Sequence, residues 1–238
     1  MKEKYAKMKL KYLPFIILII LCHSAKSQTA SIPKLGSWAM FFGQVRIHDK
    51  WSIHAEAQYR DHGILEESEQ ILLRTGINYH INPNALVTAG YAHVDSYPYD
   101  GDFLKQTSSS ENRLWQQLIM RNNISRVFFE HRYRLEQRWI EANSNTRYLN
   151  RVRYLLRATI PLNKKVVEKD ALFLSFYDEI FVHLNATPFD RNRIYGAMGY
   201  QFSPHANTQL GYMAQTVNNK TKSYLQIGLT YNLDLRKK

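Results

Sequence analysis

Apolar and polar residues alternate with a period of two in successive segments of roughly ten residues along the chain. Segment 51–60 shows the pattern best. Its two faces carry Trp51, Ile53, Ala55, Ala57 and Tyr59 on one side and Ser52, His54, Glu56, Gln58 and Arg60 on the other. Residues two apart share a face of a strand but lie on nearly opposite sides of a helix, so the pattern predicts β-strands.

Eleven segments have this character or the composition that accompanies it. They are residues 37–47, 51–60, 71–81, 85–94, 113–122, 127–140, 147–160, 171–183, 191–202, 208–216 and 223–235. Their length suits strands that cross a membrane at a tilt, and bacterial single-chain barrels have an even number of strands. Either residues 28–36 add a short first strand or one segment is not a strand. We expect twelve strands within a range of ten to twelve.

The predicted connections alternate in length. Short ones lie near residues 48–50, 82–84, 122–126 and 203–206, and longer polar ones near 61–69, 95–110, 141–146, 184–188 and 217–222. Residues 161–170 break the pattern, because they are long where a short turn is due. Short periplasmic turns opposite longer external loops are typical of an up-and-down antiparallel barrel in the outer membrane.

The first 27 residues have the features of a signal peptide. Five lysines precede an apolar run at 13–22, and Ala25 and Ser27 offer small residues for cleavage before Gln28. The run is too short for a membrane-spanning helix. We expect residues 28–238 to form a single exported barrel domain, with the outer membrane as its location and the barrel-assembly machinery as a partner during insertion.

Charge and cysteine content change once the signal segment is removed. That segment carries six Lys and one Glu, so the formal net charge of +12 falls to +7, and nucleic-acid binding is not expected. Cys22 is the single cysteine and leaves with the signal, which excludes disulfides and cysteine-bound metal from the exported part. We expect no metal and no cofactor.

The apolar face distinguishes a membrane barrel from a soluble sheet. It is rich in aromatic residues near the strand ends, among them Trp51, Tyr59, Tyr79, Tyr91, Trp139, Tyr148 and Tyr231. Aromatic residues at both interfaces of a lipid-facing band are typical of membrane barrels, whereas a soluble sandwich buries aliphatic residues in one core. The alternative is a soluble periplasmic β-sheet binding protein.

Several short motifs, taken together, carry a family resemblance between about Trp38 and Leu233. They are Glu56-Ala57-Gln58-Tyr59-Arg60, Leu73-Arg74 with Gly76, Gly90-Tyr91, residues 111–117 (ENRLWQQ), residues 132–138 (RYRLEQR), Arg151-Val152-Arg153, Glu179, Asp190-Arg191-Asn192-Arg193 and Gly211-Tyr212. The chain resembles the uncharacterised DUF2490-type family of secreted proteins. The resemblance implies an outer-membrane barrel of a Gram-negative bacterium and implies no activity.

The polar faces would line the lumen with charge. The predicted lumen charge network contains Glu56, Arg60, Arg74, Arg113, Glu130, Arg132, Arg134, Glu136, Arg138, Arg151, Arg153, Arg157, Glu179, Arg191 and Arg193, with Glu111, Arg121 and Arg147 on the same faces. One interpretation is structural, in which Arg–Glu ladders fill a narrow interior that has no apolar part, and pairs between segments 128–139 and 147–160 satisfy Glu130 and Glu136. The other is a small passive pore or site for an anionic solute, since Arg outnumbers Glu by more than two to one.

A lipid-modifying enzyme is a third interpretation. Ser175, Glu179 and His183 share a face, as do Ser52 and His54. Residues two apart on a strand lie too far from each other for a direct nucleophile–base hydrogen bond. We therefore expect no enzyme and assign no catalytic residue.

Overall fold

The eleven predicted segments all form strands in the computed structural model, which describes residues 35–97 and 108–236. The strands are β1 (Gly36–Arg46), β2 (Trp51–Asp61), β3 (Ser68–Asn82), β4 (Ala85–Ser96), β5 (Ser109–Ile124), β6 (Val127–Ala142), β7 (Asn145–Pro161), β8 (Ala171–His183), β9 (Phe189–Gln201), β10 (Ala206–Val217) and β11 (Lys220–Asp234). The predicted signal segment lies outside the described residues. In the part that the structure describes, no helix is long and apolar enough to span a membrane.

The strands close into one barrel in which every strand pairs with its neighbours in sequence. All these pairs are antiparallel, and the barrel is closed by β1 and β11, which run parallel from Gly36↔Tyr224 to Arg46↔Asp234. Twelve strands are not confirmed. An even number of strands is required only when the first and last strands pair antiparallel. Here they pair in parallel, and successive strands that alternate in direction then have to be odd in number. Most of the proposed extra strand at 28–36 lies outside the described residues.

The two rims of the barrel differ less in connection length than the sequence predicted. The amino rim, where β1 begins, carries connections at 62–67, 97–108, 143–144, 184–188 and 218–219; the carboxyl rim, where β11 ends, carries 47–50, 83–84, 125–126, 162–170 and 202–205. The predicted longer loops at 141–146 and 217–222 are wrong. Each is a two-residue turn, Asn143-Ser144 or Asn218-Asn219, with φ between 48° and 62°. Positive φ at both positions is the geometry of a tight hairpin, and Asn favours it.

The outer face of the barrel is apolar and exposed. Leu73, Ile77, Ile194 and Ile227 are each more than half exposed, although they lie in the middle of long strands. Their sequence neighbours Leu72, Arg74, Tyr195 and Gln226 point inward and are buried. The period of two therefore separates an exposed apolar exterior from an interior in which these side chains are buried.

One part of the interior is apolar, which the sequence analysis did not predict. Trp38, Tyr195, Ala197, Met213 and Tyr224 form a buried cluster on β1, β9, β10 and β11. Glycines make room for its rings: a Cβ on Gly211 would lie 2.6 Å from Tyr195, and one on Gly36 would lie 2.6 Å from Tyr224. The expectation of a wholly ionic interior is wrong, because rings packed on bare backbone fill this side.

Candidate functional site

A single carboxylate lies at the centre of the lumen charge network. Glu136 on β6 is completely buried, and its oxygens lie 2.5 Å from Arg151, 2.7 Å from Arg153, 3.8 Å from Arg74 and 3.9 Å from Arg134. Arg74 belongs to β3, so this cluster joins strands that are not neighbours in the barrel. Glu136 therefore holds together four guanidinium groups from three strands.

Glu179 is a second junction on β8. Its Oε1 accepts hydrogen bonds from Arg153 at 2.6 Å and Arg132 at 2.8 Å, while Arg193 lies 3.9 Å from its Oε2. Glu56 on β2 pairs with Arg74 at 2.8 Å. These two carboxylates extend the network around the lumen. Three arginines share Glu179, and the arginine that pairs with Glu56 also approaches Glu136.

The remaining carboxylates named from the sequence also bind arginine. Glu111 accepts from Arg113 and, at 2.5 and 2.8 Å, from Arg138. Glu130 lies 2.9 Å from Arg121 and 3.9 Å from Arg157. The structure thus places the β7 arginines Arg151 and Arg153 beside Glu136, as expected from the pairing of β6 with β7. The nearest arginine to Glu130 is instead Arg121 of β5, and Arg157 of β7 lies 3.9 Å away.

Asp190 belongs to the network but was not assigned to it from the sequence. Its side chain is 7% exposed and binds Arg151 at 2.7 Å and Arg191 at 3.0 Å. Under strict alternation Asp190 and Arg191 point to opposite faces of the strand, so Asp190 would point away from the lumen. A register shift between Phe181 and Val182 leaves Asp190 unpaired at a β-bulge, and a bulge re-aims a side chain.

The network surrounds an internal cavity of about 410 Å³. Twelve arginines and four glutamates line it: Arg60, Arg74, Arg113, Arg121, Arg132, Arg134, Arg138, Arg151, Arg153, Arg157, Arg191 and Arg193, with Glu56, Glu111, Glu130 and Glu179. Glu136 lies behind this lining. Arg147, which the alternation assigned to the lumen, is exposed at the amino rim and does not line the cavity. The formal charge of the lining is strongly positive.

Three of these arginines are held by neutral side chains. Gln58 accepts from Arg60 at 2.8 Å, Gln117 accepts from Arg134 at 2.7 and 3.1 Å, and Gln215 accepts from Arg193 at 2.8 Å. An amide oxygen orients a guanidinium group as a carboxylate does, but it contributes no counter-charge of its own.

Aromatic rings lie against several of these arginines. Trp115 lies beneath Arg134 and Arg74, with guanidinium carbons 4.8 and 5.4 Å from its centroid. Phe181 is approached in the same way by Arg153 at 4.3 Å and by Arg193 at 4.7 Å. Such contacts are cation–π interactions. These rings were not predicted to line the lumen, although Trp115 alternates in step with Arg113 and Gln117 and so shares their face.

The residues considered for catalysis do not form a nucleophile–base pair. Ser175 Oγ is buried without a hydrogen-bond partner, while Glu179 is bound to arginines. A different contact exists between Ser52 Oγ and His80 Nε2 at 2.8 Å, with Arg46 3.1 Å from His80 Nδ1. Arginine can only donate, so Nδ1 accepts and Nε2 carries the proton that His80 donates to Ser52. In this arrangement His80 cannot take a proton from Ser52.

No group of three or more His, Cys, Asp or Glu suited to a metal ion occurs among residues 35–97 and 108–236. At the carboxyl rim, the Nδ1 of His48 accepts a hydrogen bond from the backbone N–H of Lys50.

Comparison with known proteins gives a family and one relative. The family described as "Protein of unknown function (DUF2490)" matches residues 35–226. A protein of Methylorubrum extorquens, named only as uncharacterized, is 27% identical over 190 residues, which cover 76% of this chain and 79% of the relative. No solved structure matches the chain.

Proposed function

Since the chain belongs to the DUF2490 family of proteins of unknown function, its own geometry has to supply a function, and we propose an outer-membrane barrel whose arginine-rich lumen admits small anions. The observation that carries the proposal is the lining of the cavity, in which twelve arginines face four glutamates. An excess of like charge in a confined space attracts counter-ions from solution.

The exterior supports the membrane part of the proposal. Exposed Leu, Ile, Val and Phe side chains surround the barrel, and aromatic pairs lie toward both rims. Trp51 and Tyr79 contact each other near the carboxyl rim, with ring centroids 4.9 Å apart, and Trp139 and Tyr148 do so near the amino rim at 5.2 Å. Two aromatic levels separated by an apolar band match the two interfaces of a bilayer.

The first prediction concerns location. We expect the expressed protein to fractionate with the outer membrane and to migrate faster on an electrophoresis gel before heating than after it, because a closed barrel resists detergent at room temperature. Extraction without detergent, or the same migration before and after heating, would instead favour the soluble periplasmic alternative. Unchanged lipid A and phospholipids in a deletion strain would argue against the lipid-modifying alternative.

The second prediction concerns selectivity. In a planar bilayer with a potassium chloride gradient, we expect the reversal potential of the barrel to shift toward the equilibrium potential of chloride, because the lining carries excess positive charge. An Arg134→Gln barrel should show a smaller shift, since it lacks one of the lining arginines, whose hydrogen bonds go to the Gln117 amide and whose charge Glu136 approaches only to 3.9 Å. A shift toward potassium would reject the anion-selective lumen.

A structural role is the second candidate, and the shared carboxylate Glu136 favours it. Arg74 reaches this residue from β3 at 3.8 Å, so side chains cross the lumen and narrow it. A barrel that inserts and gives no channel events would support this candidate over the pore.

A further inference from the structure

Two arginines from different strands contact the same indole ring. The guanidinium carbon of Arg60 on β2 lies 3.7 Å from the centroid of Trp38, and that of Arg193 on β9 lies 4.9 Å from it. Each side chain belongs to a residue that is 7% exposed, and both line the cavity. Two buried positive charges therefore lie beside one ring.

Carboxylates compensate these two charges poorly. Arg60 has no carboxylate oxygen within 4 Å among the described residues, and its Nε is buried without a hydrogen-bond partner. The ion pair of Arg193 is with Glu179 at 3.9 Å, and Glu179 is bound more closely by Arg132 and Arg153. The remaining contacts of the two arginines with the protein leave a net positive charge in place.

Neutral residues fix the direction of both guanidinium groups. Gln58 accepts from Arg60 Nη2 and also from the indole nitrogen of Trp38 at 3.2 Å, which ties the arginine and the ring together. Gln215 accepts from Arg193 Nε. A purely structural pair would be expected to use a carboxylate at one of these positions, because a buried charge is costly without a counter-charge.

We propose that Arg60 and Arg193 bind a small oxyanion of the phosphate or sulfate class beside Trp38. The proposal rests on the proposed function and names the solute that it concerns. Guanidinium N–H groups match the oxygens of such an anion and can bind two of them at once. The guanidinium N–H groups that Gln58 and Gln215 leave unbound would donate to its oxygens, and the anion would supply the counter-charge that the protein does not. The cavity of about 410 Å³ has room for an ion of this size.

Calorimetric titration of the detergent-purified, full exported protein tests the site. We expect inorganic phosphate to bind where sodium chloride at matched ionic strength does not. Arg60→Gln and Arg193→Gln should each weaken phosphate binding at least about tenfold, the effect of losing a charge-assisted hydrogen bond. Arg60→Lys, which keeps the charge and loses the fork, should be intermediate. Arg147→Gln, at the exposed rim, should bind as the unchanged protein does.

The outcomes distinguish a failure of the oxyanion site from a failure of the proposed anion-selective lumen. Equal heats for phosphate and chloride, or unchanged phosphate binding in Arg60→Gln, would overturn the site even if the reversal potential still favours chloride. A preference for potassium would overturn the proposed function itself. Sulfate is the second probe: comparable binding assigns the site to divalent oxyanions as a class, and phosphate binding alone restricts it to phosphate. Faster migration on a gel before heating shows which variants are folded. If Arg60→Gln does not fold, Arg193→Gln serves as the test.

Discussion

Glu136→Gln is expected to lower the free energy of unfolding by about 3–5 kcal/mol, the cost of removing one partner from a buried ion pair. The substitution keeps the shape of the side chain and removes the one charge that four arginines share. Arg151 and Arg153 would then face an amide at the positions where they now contact carboxylate oxygens at 2.5 and 2.7 Å. Urea unfolding of the refolded barrel, followed by the loss of the fast-migrating gel band, measures the change.

Two further variants make that result specific. Glu130→Gln removes a carboxylate on the same strand whose partner Arg121 is 45% exposed, so its effect should stay within about 1 kcal/mol. Adding Arg134→Gln to Glu136→Gln should recover part of the loss, because Glu136 is the only carboxylate within 4 Å of Arg134 in the described chain. If Glu136→Gln is as stable as the unchanged protein, the proposed role of this carboxylate is wrong.

Gly90→Ala is expected to destabilise the barrel by about 3 kcal/mol through overpacking. A Cβ at this position would lie 2.1 Å from the Thr75 carbonyl oxygen and 2.9 Å from Trp115. Gly90 pairs with Gly76 on the neighbouring strand, and the two glycines together leave room for the Trp115 ring against the barrel wall. The backbone would have to move to admit even one methyl group. The same unfolding experiment reports the change.

Gly228→Ala is the matched control. The nearest atom to a Cβ there is Met40 Cε at 3.9 Å, an ordinary contact, so the expected change is within about 0.5 kcal/mol. Equal stabilities for the two alanine variants would contradict the packing of Trp115 against these glycines.

The strands could be predicted from sequence because their two faces differ so clearly in polarity. A period of two fixes which side of each strand faces the lumen, and this put Glu136, Arg151 and Arg153 on one side before their contacts were known. The same rule assigns side chains to the two faces within each strand and reaches no further. It gives no information on how the first and last strands meet, and so the odd number of strands in the barrel was not predicted.

The features that were not predicted have local causes, and the alternation of polar and apolar residues carries no information about them. The bulge at Asp190 adds a residue and reverses the direction of one side chain, and Asn218-Asn219 turns the chain in two residues where a polar run suggested a loop. Trp38 and Tyr224 were not expected inside, because aromatic residues were assigned to the lipid-facing bands. Their place in the interior depends on which glycines lie next to them in space, as Gly36 does for Tyr224.

The parallel seam has a consequence for the order of folding. Every other pair of strands forms between segments that follow each other in the chain, whereas Gly36 and Tyr224 meet only after almost all of the domain has been made. The loop-closure entropy of this pairing is the largest in the fold, so we expect the seam to form last. Until it forms, β1 and β11 each carry a row of unsatisfied backbone amides and carbonyls, which hydrocarbon does not tolerate. If the barrel resides in the outer membrane as proposed, closure of the ring and entry into the lipid should therefore be one cooperative event.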